Sequence, residues 1–158
     1  MNITVRRAEK KDIPRMQELL TQVCNVHSAG RPDIFRKNSQ KYTAEELEIL
    51  IADHTRPIFV GVDEQDRVMG YGFCVIIEYS GNQLLHDRRE LYIDDLCVDE
   101  KARGGGIGGT IFSFIKAYAK EIGCYHVTLN VWACNPDAMA FYESRGMKML
   151  KKEMEILL

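Results

Sequence analysis

The chain has 158 residues, 46% of them apolar and 28% charged, with a formal charge of −2. That balance fits one globular domain with a real core and excludes a disordered chain. The near-neutral charge argues against binding nucleic acid through its phosphates, and every apolar run is far shorter than a membrane span.

The first residues, Met1-Asn-Ile-Thr-Val-Arg-Arg7, lack the apolar stretch of a secretion signal, which points to the cytoplasm. Residues 2–7 alternate as a short strand. Ile13, Met16, Leu20 and Val23 recur at helical spacing. Residues 28–42 read as a loop with a basic set, Arg36, Lys37 and Lys41. Thr43-Ala-Glu-Glu46 is a capping box that opens a second helix through Leu47, Leu50 and Ile51. Pro57 to Val62 and Arg67 to Glu78 read as a hairpin around Asp63-Glu-Gln-Asp66. A polar loop, 79–88, leads to the strand Leu91–Val98 and then to five glycines within residues 104–109.

A helix follows the glycines, with Ile107, Ile111, Phe114, Ile115, Tyr118 and Ile122 on its inner face and Gly123 as its stop. Tyr125–Trp132 reads as a strand. Asn135-Pro136 supplies an N-cap and a first-turn proline for a last helix ending near Gly146. Met147–Leu158 alternates in part and reads as a final strand. The order β-α-α-β-β-β-α-β-α-β implies an α+β fold with a mixed sheet. Cys24, Cys74, Cys97, Cys124 and Cys134 form no Cys-x-x-Cys pair and read as free thiols. With the four histidines dispersed, no metal site is expected.

Arg103-Gly104-Gly105-Gly106-Ile107-Gly108-Gly109 is the segment that carries chemistry. Glycines cost about 1 kcal/mol each inside a helix, but they let a ligand reach the backbone N–H groups. At a helix N-terminus such groups bind phosphate. A dinucleotide site would require an acid about 20 residues on, and Leu129-Asn-Val-Trp-Ala133 offers none. A P-loop would need a lysine where Gly109 stands.

Coenzyme A is the third ligand to consider. Arg103-x-x-Gly106-x-Gly108 after Leu96-Cys97-Val98-Asp99-Glu100 resembles the signature of the GNAT-superfamily N-acetyltransferases. The segment Asn135-Pro-Asp-Ala138-Met-Ala-Phe141-Tyr142-Glu-Ser-Arg-Gly146-Met147 is similar to that family's second motif, at the usual separation. The resemblance spans the whole chain and implies one acetyltransferase domain over residues 1–158. It implies a mixed, mostly antiparallel sheet flanked by helices, with two central strands splayed apart. It also implies acetyl-CoA as cosubstrate and direct transfer of its acetyl group to a primary amine, carried by a small molecule or a peptide. Many relatives are homodimers; this sequence by itself marks no interface. Relatives often carry a basic or polar side chain at the places of Gly105 and Gly109. Here phosphate binding would rest on backbone N–H groups, Arg103 and Lys101.

By the same resemblance, pantetheine pairs with the backbone of Leu96, Cys97 and Val98, helped by Asn135. The pyrophosphate would lie on Gly104, Gly105, Gly106, Ile107, Gly108 and Gly109. Tyr142 would be the general acid for the departing thiolate, and a backbone N–H near Leu96–Cys97 the oxyanion donor. For the base, Glu90, Asp94 and Asp95 lie on or beside the central strand. Glu90 and Asp94 share a face on a regular strand, and Asp94 and Asp95 do not. Glu90 and Asp94 are therefore the expected pair, drawing in a cationic amine and relaying its proton. The acceptor would meet His27, Arg31, Phe35, Glu78 and Tyr79. A coenzyme A-binding sensor without catalysis is the alternative that these residues leave open.

Overall fold

The structure, a computed structural model, describes residues 2–158. Strand β1 (Thr4–Arg7) leads through a 3-10 turn into helix α1 (Ile13–Gly30). Asp12, buried at the start of α1, accepts from Arg6 at 2.8 Å and from the Glu9 N–H at 2.8 Å, so the turn is fixed by charge and by backbone at once. Helix α2 (Ala44–Ala52) carries the expected capping box: Thr43 Oγ1 accepts from Glu46 N and Glu46 Oε2 from Thr43 N. Strands β2 (Ile58–Val62) and β3 (Val68–Tyr79) form the hairpin, with Asp63 Oδ1 accepting from the Gln65 and Arg67 N–H groups. Then come β4 (Arg88–Val98), α3 (Ile107–Glu121), β5 (His126–Leu129) and α4 (Pro136–Ser144).

The sheet runs β1-β2-β3-β4-β5, antiparallel except for the parallel β4–β5 pair. Helices cover both faces. Met16, Leu19, Leu20 and Leu47 pack with Val60 and Tyr71 on one side, and Ile107, Ile111, Phe112 and Ile115 with Leu91 and Ile93 on the other. Each fully buried side chain of this size contributes about 2 kcal/mol. Helix α3 comes close enough to β3 that a Cβ on Gly72 would lie 2.5 Å from Ile115 Cδ1, and β4 close enough that one on Gly70 would lie 2.7 Å from the Cys97 carbonyl.

Four features depart from the sequence reading. Helix α1 continues through Ser28 and Ala29 to Gly30, because Ser28 is buried against its own helix and bonds the Asn25 carbonyl. On α3 the buried aromatic is Phe112; Phe114 sits at the rim, edge-on to Phe59. Strand β5 pairs with β4 only from His126 to Leu129, so Asn130–Trp132 lies outside the sheet. No strand forms over residues 147–158. The alternation there has no ladder to join, and Met149, Leu150, Met154, Ile156 and Leu157 remain exposed.

Candidate active site

Strand β4 makes the site by departing from regularity twice. Its pairing with β5 stops at Ile93↔Leu129, so from Asp94 onward its outer edge faces a gap while its inner edge stays on β3. At the same point the β3 register slips: Phe73 faces Asp95 and Cys74 faces Ile93, leaving Asp94 unmatched. This bulge changes which residues share a face. Leu91, Ile93, Leu96 and Val98 pack toward α3. Asp94 and Asp95 both turn the other way, toward the α1–α2 loop, where a regular strand would have separated them.

The two aspartates have different partners. Asp94 Oδ2 accepts from Lys41 Nζ at 2.8 Å and from Tyr42 Oη at 2.7 Å, which ties the loop before α2 to the bulge. Asp95 Oδ2 accepts from Tyr71 Oη at 2.9 Å. Burial pushes the Asp95 carboxyl up to about 6, against the opposing pull of the Tyr71 bond. Burial, with the Asp95 and Cys97 groups nearby, also holds the Tyr142 phenol above its ordinary value, so it stays protonated. The Cys97 thiol is buried, donates to the Leu19 carbonyl at 3.6 Å and is pushed up to about 12. At neutral pH it is a thiol and not a nucleophile.

The glycine loop closes one end of the gap. Gly104 (φ +83°) and Gly106 (φ +77°) are left-handed, and nothing lies within 4 Å of where their Cβ atoms would be. Gly106 is the N-cap of α3; no side chain caps the helix and its first turn holds no acid. The first N–H groups of α3 therefore have no side-chain cap, which leaves them available to an anion. Arg103 Nε lies 3.4 Å from the Val98 carbonyl, beside the loop. At the other side of the gap Asn135 Oδ1 caps α4 through the Ala138 N–H at 3.2 Å.

Of the other residues singled out, His27, Phe35 and Trp132 come together: the Phe35 ring is 5.0 Å from His27 and 4.8 Å from Trp132. Gly30 allows this, since a Cβ there would lie 2.6 Å from Cys134 Sγ. Burial and the Lys41 charge hold the His27 imidazole below its ordinary value, hence neutral at pH 7. Arg31 is taken by Asp33 at 2.8 Å and Glu155 at 2.5 Å. Glu78 and Tyr79 lie at the far end of the β3–β4 hairpin, where Glu78 pairs with Arg89 and the Arg88 guanidinium stands 4.0 Å from the Tyr79 ring. Glu90 is at that end also, bonded by Thr128 and 3.3 Å from His126. It is four residues along the strand from Asp94, about 13 Å at ~3.3 Å per residue. Asp95, Tyr71, Lys41 and Tyr42 were not among the expected site residues. The Asp-Asp pair was visible, but a bulge is set by the opposing strand.

A profile of the Acetyltransferase (GNAT) family matches residues 20–147. The chain is 38% identical over 153 residues to a probable glucosamine 6-phosphate N-acetyltransferase of Oryza sativa subsp. japonica, covering 92% of this chain and 81% of that one. It is 28% identical over 140 residues to thialysine N-epsilon-acetyltransferase of Bos taurus, covering 89% and 75%. It spans only 58% of the length of glucosamine 6-phosphate N-acetyltransferase 1 of Oryza sativa subsp. japonica and 52% of that of a probable glucosamine 6-phosphate N-acetyltransferase of Drosophila melanogaster. A crystal structure of a point mutant of the BH1408 protein from Bacillus halodurans superimposes with a TM-score of 0.94 at 34% identity, covering 98% of this chain and 99% of that one. With the family profile spanning most of its length and the splayed sheet, glycine loop and capped last helix in place, the chain belongs to the acetyltransferase (GNAT) family.

Proposed function

We propose that the chain is an acetyl-CoA-dependent N-acetyltransferase that moves the acetyl group directly to a primary amine. The observation that carries this is the coincidence of three features at one gap. An uncapped, glycine-lined helix N-terminus stands at its mouth, a strand edge free of β5 runs along it, and a protonated Tyr142 sits near a carboxyl at about 6. Acetyl-CoA supplies an acyl group already activated as a thioester. The residues that fit it are the backbone from Gly104 to Gly109 for the pyrophosphate and Leu96–Val98 for the pantetheine arm.

The protein's own part is proton handling and placement. A lysine-like amine has a pKa near ~10.4 and arrives charged, so it must lose a proton before it attacks. Asp94 and Asp95, on one face of the bulge, favour a cationic acceptor; Lys41 holds that place at Asp94 until the acceptor displaces it. Asp95, half-buried and near 6, takes the proton through water. Successive N–H groups of a strand point to opposite neighbours, so one of Leu96 and Cys97 faces the gap and serves the oxyanion. The thiolate takes its proton from Tyr142. The high Cys97 pKa supports direct transfer over an acetyl-cysteine intermediate.

Glucosamine 6-phosphate and thialysine, the amines in the relatives' names, belong in the test. The protein is incubated with acetyl-CoA and an amine panel containing both, with thiol release and product mass followed together. Acetylation of at least one amine is expected. Coenzyme A binding with transfer to none would favour a sensor and refute the enzyme.

A further inference from the structure

Tyr71 is fully buried in the core on the α1 side of the sheet, among Met16, Leu19, Leu20 and Val60. A phenol in such a place costs free energy unless its hydroxyl is bonded, and phenylalanine would fill the space without that cost. The hydroxyl has its partner in the bulge: Tyr71 Oη donates to Asp95 Oδ2 at 2.9 Å. The strand register makes the reach. Tyr71 stands opposite Cys97 and Phe73 opposite Asp95, so Asp95 is the diagonal neighbour of Tyr71 across the β3–β4 pair. The Tyr71 ring is edge-on to Phe73 at 4.8 Å, and Phe73 is stacked on Tyr42 at 5.6 Å. That packing holds the phenol where it is.

The groups around Asp95 pull in opposite directions. Burial disfavours its ionised form, and so does Asp94 beside it on β4. The Tyr71 hydroxyl, the Lys41 ammonium from the loop before α2 and the Leu96 N–H favour the ionised form. Tyr142 from α4 and Cys97 on β4 are also near, both protonated at neutral pH. The two side chains that favour charge differ in permanence. Lys41 is half-exposed and bonded to Asp94, where a cationic acceptor would displace it. Tyr71 belongs to the core and stays when the acceptor arrives.

We propose that Tyr71 is a positioning residue for acetyl transfer: from the core it holds the Asp95 carboxyl in one orientation and in its ionised form, ready to take the proton of the acceptor amine. This rests on the reading of Asp95 as the base. Tyr71 touches neither the acetyl donor nor the amine and acts only through Asp95. Its own proton stays in place, because burial and the Asp95 charge hold the phenol well above its ordinary value.

Tyr71→Phe keeps the ring and removes the donor. In the full chain labelled with carbon-13 aspartate, the Asp95 carboxyl resonance is identified by its loss in Asp95→Asn and followed against pH. Its midpoint should rise by about half a pH unit or more in Tyr71→Phe. A ring-fluorinated tyrosine at 71, a stronger donor of the same shape, should move it down, and this variant carries the test if Tyr71→Phe does not fold. The profile of kcat/KM against pH is then taken with acetyl-CoA and the amine of the panel that is acetylated. Its acid limb should shift with the midpoint, a loss of about threefold per half unit on that limb. Wild-type rates should return on the alkaline side, with coenzyme A affinity unchanged. A residue that served only the fold would lower the rate evenly across pH. An unmoved midpoint or an even loss overturns the proposal and leaves the enzyme reading intact. An acid limb that persists in Asp95→Asn removes Asp95 as the base, and the proposal with it. If no amine of the panel is acetylated, the enzyme reading falls and takes the proposal with it.

Discussion

Asp95→Asn tests the environment of the bulge without any substrate. Burial raises the carboxyl from 3.8 to about 6. The folded chain therefore holds that proton more tightly than the unfolded chain, in which the group titrates near ~3.9. The stability this confers is complete below about pH 4 and lost as pH rises through about 6, so at pH 7.5 the ionised carboxylate costs the fold free energy. Two pKa units correspond to about 3 kcal/mol at ~1.36 kcal/mol each. Asp95 keeps some solvent contact, which reduces the figure to about 1–2 kcal/mol. Asparagine keeps the shape and can still accept from Tyr71 Oη through its amide oxygen. The variant should melt above the wild type at pH 7.5 by about 2–8 °C, taking ~2–4 °C per kcal/mol for a domain of this size. The gain should vanish near pH 4. Melting by circular dichroism at half-unit pH steps reads it. A variant less stable than wild type at pH 7.5, or a gain independent of pH, would refute the reasoning.

Tyr142→Phe should lower kcat by about 10²-fold or more while leaving coenzyme A affinity unchanged, because it removes a proton donor and no phosphate contact; stopped assays with titration calorimetry separate the two. Asp94→Asn should raise KM for the acceptor identified by the panel more than it lowers kcat. It should also loosen the chain near Lys41 and Tyr42, which limited proteolysis detects. Gly70→Ala should cost about 1–3 kcal/mol in urea unfolding, since its methyl would lie 2.7 Å from the Cys97 carbonyl and the strands must part to admit it. A loss under about 0.5 kcal/mol would mean that β3 and β4 yield there at little cost.

What the sequence disclosed and what it hid divide by range. The Thr43–Glu46 capping box, the Asn135 cap and the left-handed Gly123 were legible because each is settled by residues a few positions apart. The glycine loop was legible for the same reason. The tail shows the limit of alternation. A period of two says which side chains would share a face, but a strand also needs a neighbour to bond, and residues 147–158 have none among the described residues. The bulge shows it more sharply. Nothing in Leu91–Val98 marks Asp94 as unmatched; that follows from Phe73 and Cys74 on the opposing strand. One slipped residue moved Asp95 from the expected far face to the side of Asp94 and Tyr71, and left Glu90 with Thr128 and His126 at the closed end of the β4–β5 pair. On the proposed acceptor side, His27, Phe35 and Trp132 come from three separate segments, which the close approach of Gly30 to Cys134 brings together. The proposed donor site is local in the chain and so could be argued from it. The proposed acceptor site is assembled across the chain, which is why the amine must be found by assay while the thioester could be argued from a loop.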